Sequence, residues 1–337
     1  EIGSGLVGSE MCIRDRFDIP AEKGLVNYTN GPVILLGSCF ADGVGQRLME
    51  RMFPVTVNPF GPLYNPASIA MIIETALSGK TITEDDLFHH EGLYRSFLCH
   101  TLLCSTSAQE TCRRLNAALL RLRADLNRAR LLIITLGTSK IYRRKNDGMV
   151  VANCHKLPAS QFTSSMLSEA EITGCLENII DMVSGLNPGI RLMFTVSPVR
   201  HKADGIHANN LSKARLLLAV DKVIELHGNR ALYFPAYELV MDDLRDYRFY
   251  AADMCHPSET AVDYVFSRFA QAYITDAAMA TAAKCLKISR RISHRRMTAD
   301  EEAFARFREA TQRELVSLQN EHPELTDTIQ RIITNMH

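Results

Sequence analysis

A serine at the end of an apolar run is the first residue in the sequence that could carry out covalent catalysis. Ser38 follows the buried-type run 32–37 and precedes a helical pattern. A hydroxyl at such a junction lies at the carboxyl edge of a sheet, where a helix dipole and backbone N–H groups can support a developing oxyanion. The position also suits an ordinary helix N-cap. The surrounding residues do not form a G-x-S-x-G nucleophile elbow.

A second segment supplies the side chains that could activate this serine. In residues 252–259, Asp253 and His256 lie three positions apart, and Pro257 fits the first position of a helix. An aspartate this close can orient an imidazole as in a Ser–His–Asp triad. The alternative is that both residues simply cap the helix. The chain order Ser38, Asp253, His256, with each residue at a strand–helix junction, favours one catalytic edge.

The elements that would position these residues alternate along the chain. Five short runs are apolar on both faces and predict strands: 32–37, 54–57, 131–137, 191–196 and 231–234. Helical patterns follow them at 41–52, 66–77, 107–128, 168–186, 209–227 and 257–283. This alternation predicts a three-layer α/β/α fold with a parallel five-stranded, flavodoxin-like sheet. We interpret residues 79–105 as an irregular excursion with a hairpin, and the residues after 137 as a loop.

The chain ends differ from this central part. Residues 8–16 look like translated sequencing-adapter sequence, so we expect 1–16 to be a non-native or disordered leader. Residues 17–283 are predicted to form the α/β domain. Residues 284–337 are predicted to form a C-terminal helical extension, with an amphipathic helix at about 299–320.

Composition narrows the function classes. The formal net charge is zero, which argues against a nucleic-acid partner, and no apolar run reaches the roughly 18 residues of a membrane span.

The nine cysteines are scattered without a CxxC pair, which favours reduced thiols and a cytoplasmic location. Because the sequence starts at Glu1 rather than Met, a lost signal peptide stays open as an alternative. No metal-ligand spacing occurs, and no cofactor is expected.

Six segments together resemble a known family. They are LGSCFADGVG at 36–45, NPFGPLYNP at 58–66, TLGTSKIY at 135–142, NCHKLP at 153–158, TVSPVRH at 195–201 and ADMCHPS at 252–258. Over roughly residues 31–275 the chain resembles the GSCFA family, a branch of the SGNH hydrolase class. The resemblance implies an SGNH hydrolase-like fold, with Ser38 as nucleophile, His256 as base and Asp253 as its orienter. It also implies an oxyanion hole that includes the N–H groups of Ser38 and Gly61.

The sequence departs from the class pattern after the third strand. The class usually has Gly-x-Asn-Asp there, and this chain has Gly-Thr-Ser-Lys at 137–140. Asn153 is the nearest substitute, because its side-chain amide can donate to an oxyanion. Thr138 or Ser139 could donate more weakly.

Other polar residues near these segments have two interpretations each. His201 should face the same sheet edge, as a second base, a substrate contact or a structural residue. His155 and Arg200 could bind an anionic part of the substrate, or be solvated or capping residues. Cys39 is an alternative nucleophile, although a cysteine in this position is often simply buried.

By the resemblance, the expected function is a serine esterase that removes an acyl group, with O-acetyl as the first choice, from a carbohydrate or similar small substrate. Two alternatives remain on the same fold. One is a non-catalytic protein that binds a glycan or acyl ligand, and the other is an O-acyltransferase. The sequence does not indicate the oligomeric state.

Overall fold

The computed structural model describes residues 18–293 and 301–335. The leader predicted at 1–16 lies outside these residues. The strands in chain order are β1 (Val33–Gly37), β2 (Val55–Val57), β3 (Phe88–His90), β4 (Leu93–Arg95), β5 (Leu131–Leu136), β6 (Lys140–Arg144), β7 (Val150–Val151), β8 (Phe162–Met166), β9 (Arg191–Val196) and β10 (Ala231–Tyr233).

The helices alternate with these strands. They are α1 (Cys39–Glu50), α2 (Pro66–Ser78), α3 (Ala108–Arg128), α4 (Glu169–Leu186), α5 (Ile206–His227), α6 (Ala236–Glu238), α7 (Glu259–Tyr273), α8 (Asp276–Ile292), α9 (Glu301–Glu321) and α10 (Thr326–Asn335). Among the described helices, none combines the length and the apolarity that crossing a bilayer requires.

Five strands form a fully parallel central sheet in the order β2-β1-β5-β9-β10. Counted along the chain this is the flavodoxin-like order 2-1-3-4-5, so the predicted fold class is confirmed. Gly37 pairs with Thr135 at the carboxyl ends of β1 and β5. The strand order reverses between these two strands, and the edge beyond them is where such folds bind ligands.

Alternate side chains of each strand enter two separate cores, which explains why the strand segments are continuously apolar. Ile34 and Leu36 pack with α2 to α5 on one face of the sheet. Val33 and Leu35 pack with α1, α7 and the C-terminal helices on the other. Burial of both faces, at about 25 cal/mol per Å² of apolar surface, stabilises the three-layer arrangement.

The prediction of one continuous helix over 257–283 is wrong. The structure has two helices there, α7 and α8. Ile274 is extended and forms an isolated parallel β-bridge with Val26, which ends α7. Thr275 is the N-cap of α8, because its side chain accepts a hydrogen bond from the N–H of Ala278. The domain boundary proposed at 283 therefore falls inside α8. Four residues of α9, α10 and the turn between them join the core on the α1 and α7 side of the sheet: Leu315, Leu318, Leu325 and Ile329.

Two small antiparallel sheets extend from the central one. The predicted hairpin within 79–105 is β3–β4. The segment after β5, which the sequence predicts to be a loop, forms a second sheet in the order β7-β6-β8. Its strands are short and largely polar, with an exposed face, so the sequence carries no buried-strand signal.

Gly37 forms the sharp junction between β1 and α1. Its φ is +140°, and a Cβ at this position would lie 2.2 Å from the carbonyl oxygen of Thr135. A side chain at Gly37 would therefore meet a backbone atom that the sheet holds in place.

We predict that Gly37→Ala lowers the free energy of unfolding by more than about 3 kcal/mol, since it combines backbone strain with a backbone clash. The matched control is Gly92→Ala, where φ is +73° and an added Cβ would have no atom of the described residues within 4 Å. The control should cost only about 1 kcal/mol, the penalty for a residue with a Cβ in the left-handed region. Chemical denaturation of both variants measures the difference, and equal losses would contradict the clash argument.

Candidate active site

A cleft of about 860 Å³ opens at the carboxyl edge of the central sheet. Its walls come from the segments that follow β1, β5 and β9, from the small β6–β8 sheet and from the loop before α7. The chemically functional side chains that line it include Cys39, Tyr64, Lys140, Asn153, Arg200, His201, Lys202, Asp204, Asp253 and His256.

Asp253 and His256 form a hydrogen-bonded pair on this cleft. Nδ1 of His256 lies 2.5 Å from Oδ2 of Asp253. The other carboxylate oxygen accepts the backbone N–H groups of His256 at 3.0 Å and Cys255 at 2.8 Å. The backbone and ring of His256, together with the Cys255 N–H, hold the pKa of Asp253 well below its usual range.

This arrangement determines the histidine tautomer. An ionised Asp253 only accepts hydrogen bonds, so Nδ1 of His256 carries the proton. Nε2 of His256 has no hydrogen-bond partner among the residues the structure describes. Its lone pair is therefore available to accept a proton in the cleft.

Ser38 is the N-cap of α1 and directly precedes Cys39, which lines the cleft, but Ser38 itself is not among the lining residues. Its Oγ accepts a hydrogen bond from the N–H of Phe40 at 3.3 Å, and the residue is only 1% exposed. Within the described residues, no hydrogen bond joins Ser38 Oγ to His256. The structure thus brings Asp253 and His256 into direct contact and leaves Ser38 hydrogen-bonded separately.

Both backbone donors expected for the oxyanion hole already have partners. The Ser38 N–H donates to the carbonyl oxygen of Thr135 at 2.9 Å, and the Gly61 N–H donates to that of Asn58 at 2.8 Å. Gly61 does not line the cleft, and a Cβ there would lie 2.3 Å from Cβ of His100. The turn itself, with φ of +77°, accounts for this glycine. In this structure neither N–H is free to bind an oxyanion, which corrects the expectation.

Asn153 and Ser139 occupy different surroundings. Asn153 lines the cleft; its Oδ1 accepts the N–H of His155 at 2.7 Å, and its Nδ2 has no partner among the described residues. Ser139 is fully buried, and its N–H and Oγ both bond to Oγ of Ser212, as does the Thr138 hydroxyl. Asn153 can therefore donate into the cleft, whereas the hydroxyls of Thr138 and Ser139 are engaged by α5.

The structure separates the remaining candidates. His155 is buried outside the cleft, with Nε2 2.7 Å from the carbonyl oxygen of Ser96, so a substrate contact there is not supported. Burial lowers the pKa of His155, which disfavours its charged form. Arg200 and His201 do line the cleft. The His201 ring packs edge-on against Tyr64 with centroids 5.3 Å apart, and burial lowers its pKa.

Cys39, which follows Ser38 in the chain, lines the cleft. Burial raises the pKa of its thiol, which favours the protonated and less nucleophilic form. Cys39 can therefore contact a ligand in the cleft, but its thiol is not activated as a nucleophile. No cluster of three or more His, Cys, Asp or Glu side chains suited to a metal ion occurs in the described parts of the chain.

A buried lysine near the site was missed by the sequence analysis. Lys213 on α5 is 2% exposed, and its Nζ donates to the carbonyl oxygens of Gly137 at 2.7 Å and Ser197 at 2.6 Å. It forms no ion pair with a described residue. Desolvation lowers its pKa to about 7. The sequence feature that could have identified Lys213 is its position on the buried face of α5, between Asn209 and Leu216.

With the geometry established, comparison with known proteins identifies the family. The sequence profile of the GSCFA family matches residues 32–269, so the chain belongs to this family. No curated protein matches the sequence significantly.

Two solved structures are similar at low identity. A family two carbohydrate esterase from Clostridium thermocellum in complex with cellohexaose has 12% identity and a TM-score of 0.31, over 75% of this chain and 64% of that one. The acetyl xylan esterase Est2A from Butyrivibrio proteoclasticus has 10% identity and a TM-score of 0.35, over 72% and 62%. This chain thus spans less than two thirds of either protein.

The buried Lys213 predicts a pH dependence of stability. Its pKa is about 7 in the folded state and about 10.4 when unfolded, so between these values the unfolded chain binds more protons. The free energy of unfolding should therefore rise with pH from about 7 to 10, by up to about 4 kcal/mol. Below pH 7 the lysine is protonated in both states, and its contribution is constant.

Denaturation as a function of pH tests this with two variants. Lys213→Met should lose the rise, whereas Lys222→Met, an exposed lysine on the same helix, should keep it. A rise of equal size in Lys213→Met would assign the effect to other groups.

Proposed function

We propose that the protein is a serine esterase that cleaves an ester-linked acyl group, with O-acetyl as the first choice, from a carbohydrate or similar small substrate. The observation that carries the proposal is the Asp253–His256 pair, at 2.5 Å, on a cleft that is also lined by Cys39, the residue next to the N-cap Ser38. Membership of the GSCFA family, in which these residues match the expected nucleophile, base and orienter, supports it.

In the proposed first step, Nε2 of His256 takes the Ser38 proton as Oγ attacks the ester carbonyl carbon. The resulting tetrahedral intermediate collapses to an acyl-enzyme, and His256 returns the proton to the leaving alcohol. Asp253 stabilises the imidazolium that forms in between. Water then attacks the acyl-enzyme through the same base and releases the acid. If a sugar hydroxyl replaces water, the same chemistry makes the protein an O-acyltransferase.

The proposed step requires Ser38 Oγ to exchange its bond with the Phe40 N–H for one with His256. Catalytic hydrogen bonds are often absent before substrate binds and form in the complex. The loop that carries the histidine is exposed at residues 252–254, and Met254 has a φ of +59°. We propose that this loop and the Ser38 side chain approach each other when the cleft is filled.

For the oxyanion we propose the Nδ2 group of Asn153 and the positive end of the α1 dipole. The Asn153 amide lines the cleft and has a donor without a described partner, while the N–H groups of Ser38 and Gly61 are engaged elsewhere. Asn153 thus takes the role of the asparagine that is absent after β5.

A second candidate function is favoured by the burial of Ser38. A 1% exposed serine with a satisfied Oγ, and backbone donors that already have partners, also suits a protein that binds a glycan or acyl ligand without reacting. Reaction at Ser38 distinguishes the two functions.

Fluorophosphonate labelling with mass spectrometry is the first test. The esterase proposal expects one adduct on Ser38, no adduct in Ser38→Ala, and turnover in Asp253→Asn reduced by about 10⁴-fold. The matched control is Cys39→Ala, which removes the neighbouring nucleophile and should still be labelled. An adduct on Cys39 contradicts the assignment of Ser38, and a folded protein that is neither labelled nor active supports the binding function.

The Asn153 assignment predicts a contrast between two variants. Asn153→Ala should lower turnover of a model acetyl ester by about a hundred- to a thousand-fold, because one oxyanion donor is lost. Ser139→Ala should lower turnover much less, since the Ser139 hydroxyl bonds to Ser212 and does not line the cleft. Steady-state kinetics with matched melting temperatures measures both. The reverse ranking would place the oxyanion site on the loop after β5.

A further inference from the structure

We propose that the ester substrate is an acidic sugar, whose carboxylate or phosphate group is bound by Arg200 and Lys202. This inference rests on the proposed esterase function, because the anion site is part of the same cleft. It names the substrate class that the charges of the cleft select.

The described part of the cleft wall has three cationic side chains and two carboxylates, so positive charge is in excess. Of the described residues, five Lys, Arg or Asp side chains line it: Lys140, Arg200, Lys202, Asp204 and Asp253. Both carboxylates are engaged, Asp204 by Nζ of Lys140 at 2.6 Å and Asp253 by His256 and two backbone N–H groups. Two cations, Arg200 and Lys202, remain without a carboxylate partner in the described part of the chain.

The contacts of Arg200 are all neutral. Its Nη1 donates to Oδ1 of Asn210 at 3.2 Å, its Nη2 approaches the sulfur of Met241 at 3.4 Å, and the guanidinium also forms a hydrogen bond with the side chain of Tyr250. A guanidinium has five N–H donors in a planar fork that matches a carboxylate or a phosphate. The neutral contacts orient the side chain and leave donors for an anion.

Lys202 is held in the same wall by a backbone contact. Its Nζ donates to the carbonyl oxygen of Asp253 at 2.5 Å, which leaves two further donors. This contact places the ammonium group beside the loop that carries His256. An anion bound by Lys202 would therefore lie next to the catalytic pair.

Arg200 and Lys202 flank His201, which packs against Tyr64 inside the cleft. The two cations thus lie two positions apart in the chain, and both line the same cleft. A sugar that carries one negative group can meet both cations while its acyl ester faces His256. A neutral sugar gains no charge-assisted hydrogen bond there.

The test compares three methyl glycosides acetylated at the same hydroxyl: the glucoside, the glucuronide and the glucoside 6-phosphate. We expect kcat/KM for a charged ester to exceed that for the neutral ester by about tenfold or more, and this preference to fall with added salt. The two charged esters show whether the anion is a carboxylate or a phosphate.

Variants connect the preference to the two cations. Arg200→Gln and Lys202→Gln should each reduce the charged-to-neutral ratio, by about tenfold for Arg200, and the double variant should remove it. The matched control is Arg130→Gln, which removes the same charge at the amino end of β5, where Arg130 contacts the carbonyl oxygen of Gly189. The control should keep the wild-type ratio.

Equal kcat/KM for the neutral and charged esters would overturn the inference. It would also be overturned if the control Arg130→Gln lost the preference for charged esters as much as the Arg200 and Lys202 variants. If no ester is hydrolysed, calorimetry with methyl glucuronide and methyl glucoside separates the two proposals. Selective binding of the glucuronide that depends on Arg200 and Lys202 would retain the anion site while the esterase function fails. Equal binding of both would overturn the anion site as well.

Discussion

The close approach of Gly37 to the neighbouring strand is the constraint on which the site depends. Its N–H donates to Oδ1 of Asn58, its carbonyl oxygen accepts the N–H of Leu63, and a Cβ would lie 2.2 Å from the carbonyl oxygen of Thr135. The end of β1, the turn after β2 and the end of β5 therefore meet at one residue without a side chain. This junction begins α1 and makes Ser38 its N-cap.

A second junction joins the ends of β5 and β9. Lys213 links the carbonyl oxygens of Gly137 and Ser197, and the neighbouring Ser212 binds Thr138 and Ser139. Because α5 engages the hydroxyls that follow β5, a side-chain donor for the cleft must come from another element. The segment between β7 and β8 of the small antiparallel sheet supplies that element and brings Asn153 to the wall.

The two halves of the proposed triad differ in their surroundings. Asp253 and His256 lie on an exposed loop and are already oriented by local hydrogen bonds. Ser38 is buried and satisfied by the first turn of its own helix. The proposed reaction therefore requires a rearrangement when the cleft is filled, whereas binding alone requires none, and the charged wall at Arg200 and Lys202 can hold an anionic ligand in either case.

The sequence by itself determined the parallel sheet, because runs such as 131–137 are apolar on both faces. It also determined the Asp253–His256 contact, because two residues three positions apart in one loop can meet locally. It did not determine the break before Thr275, the contact of Lys213 with Gly137 or that of His155 with Ser96, 59 positions away. Such contacts depend on which distant segments pack together. Local spacing carries no information about that packing, so only the tertiary structure decided which polar residues face the cleft and which are buried behind it.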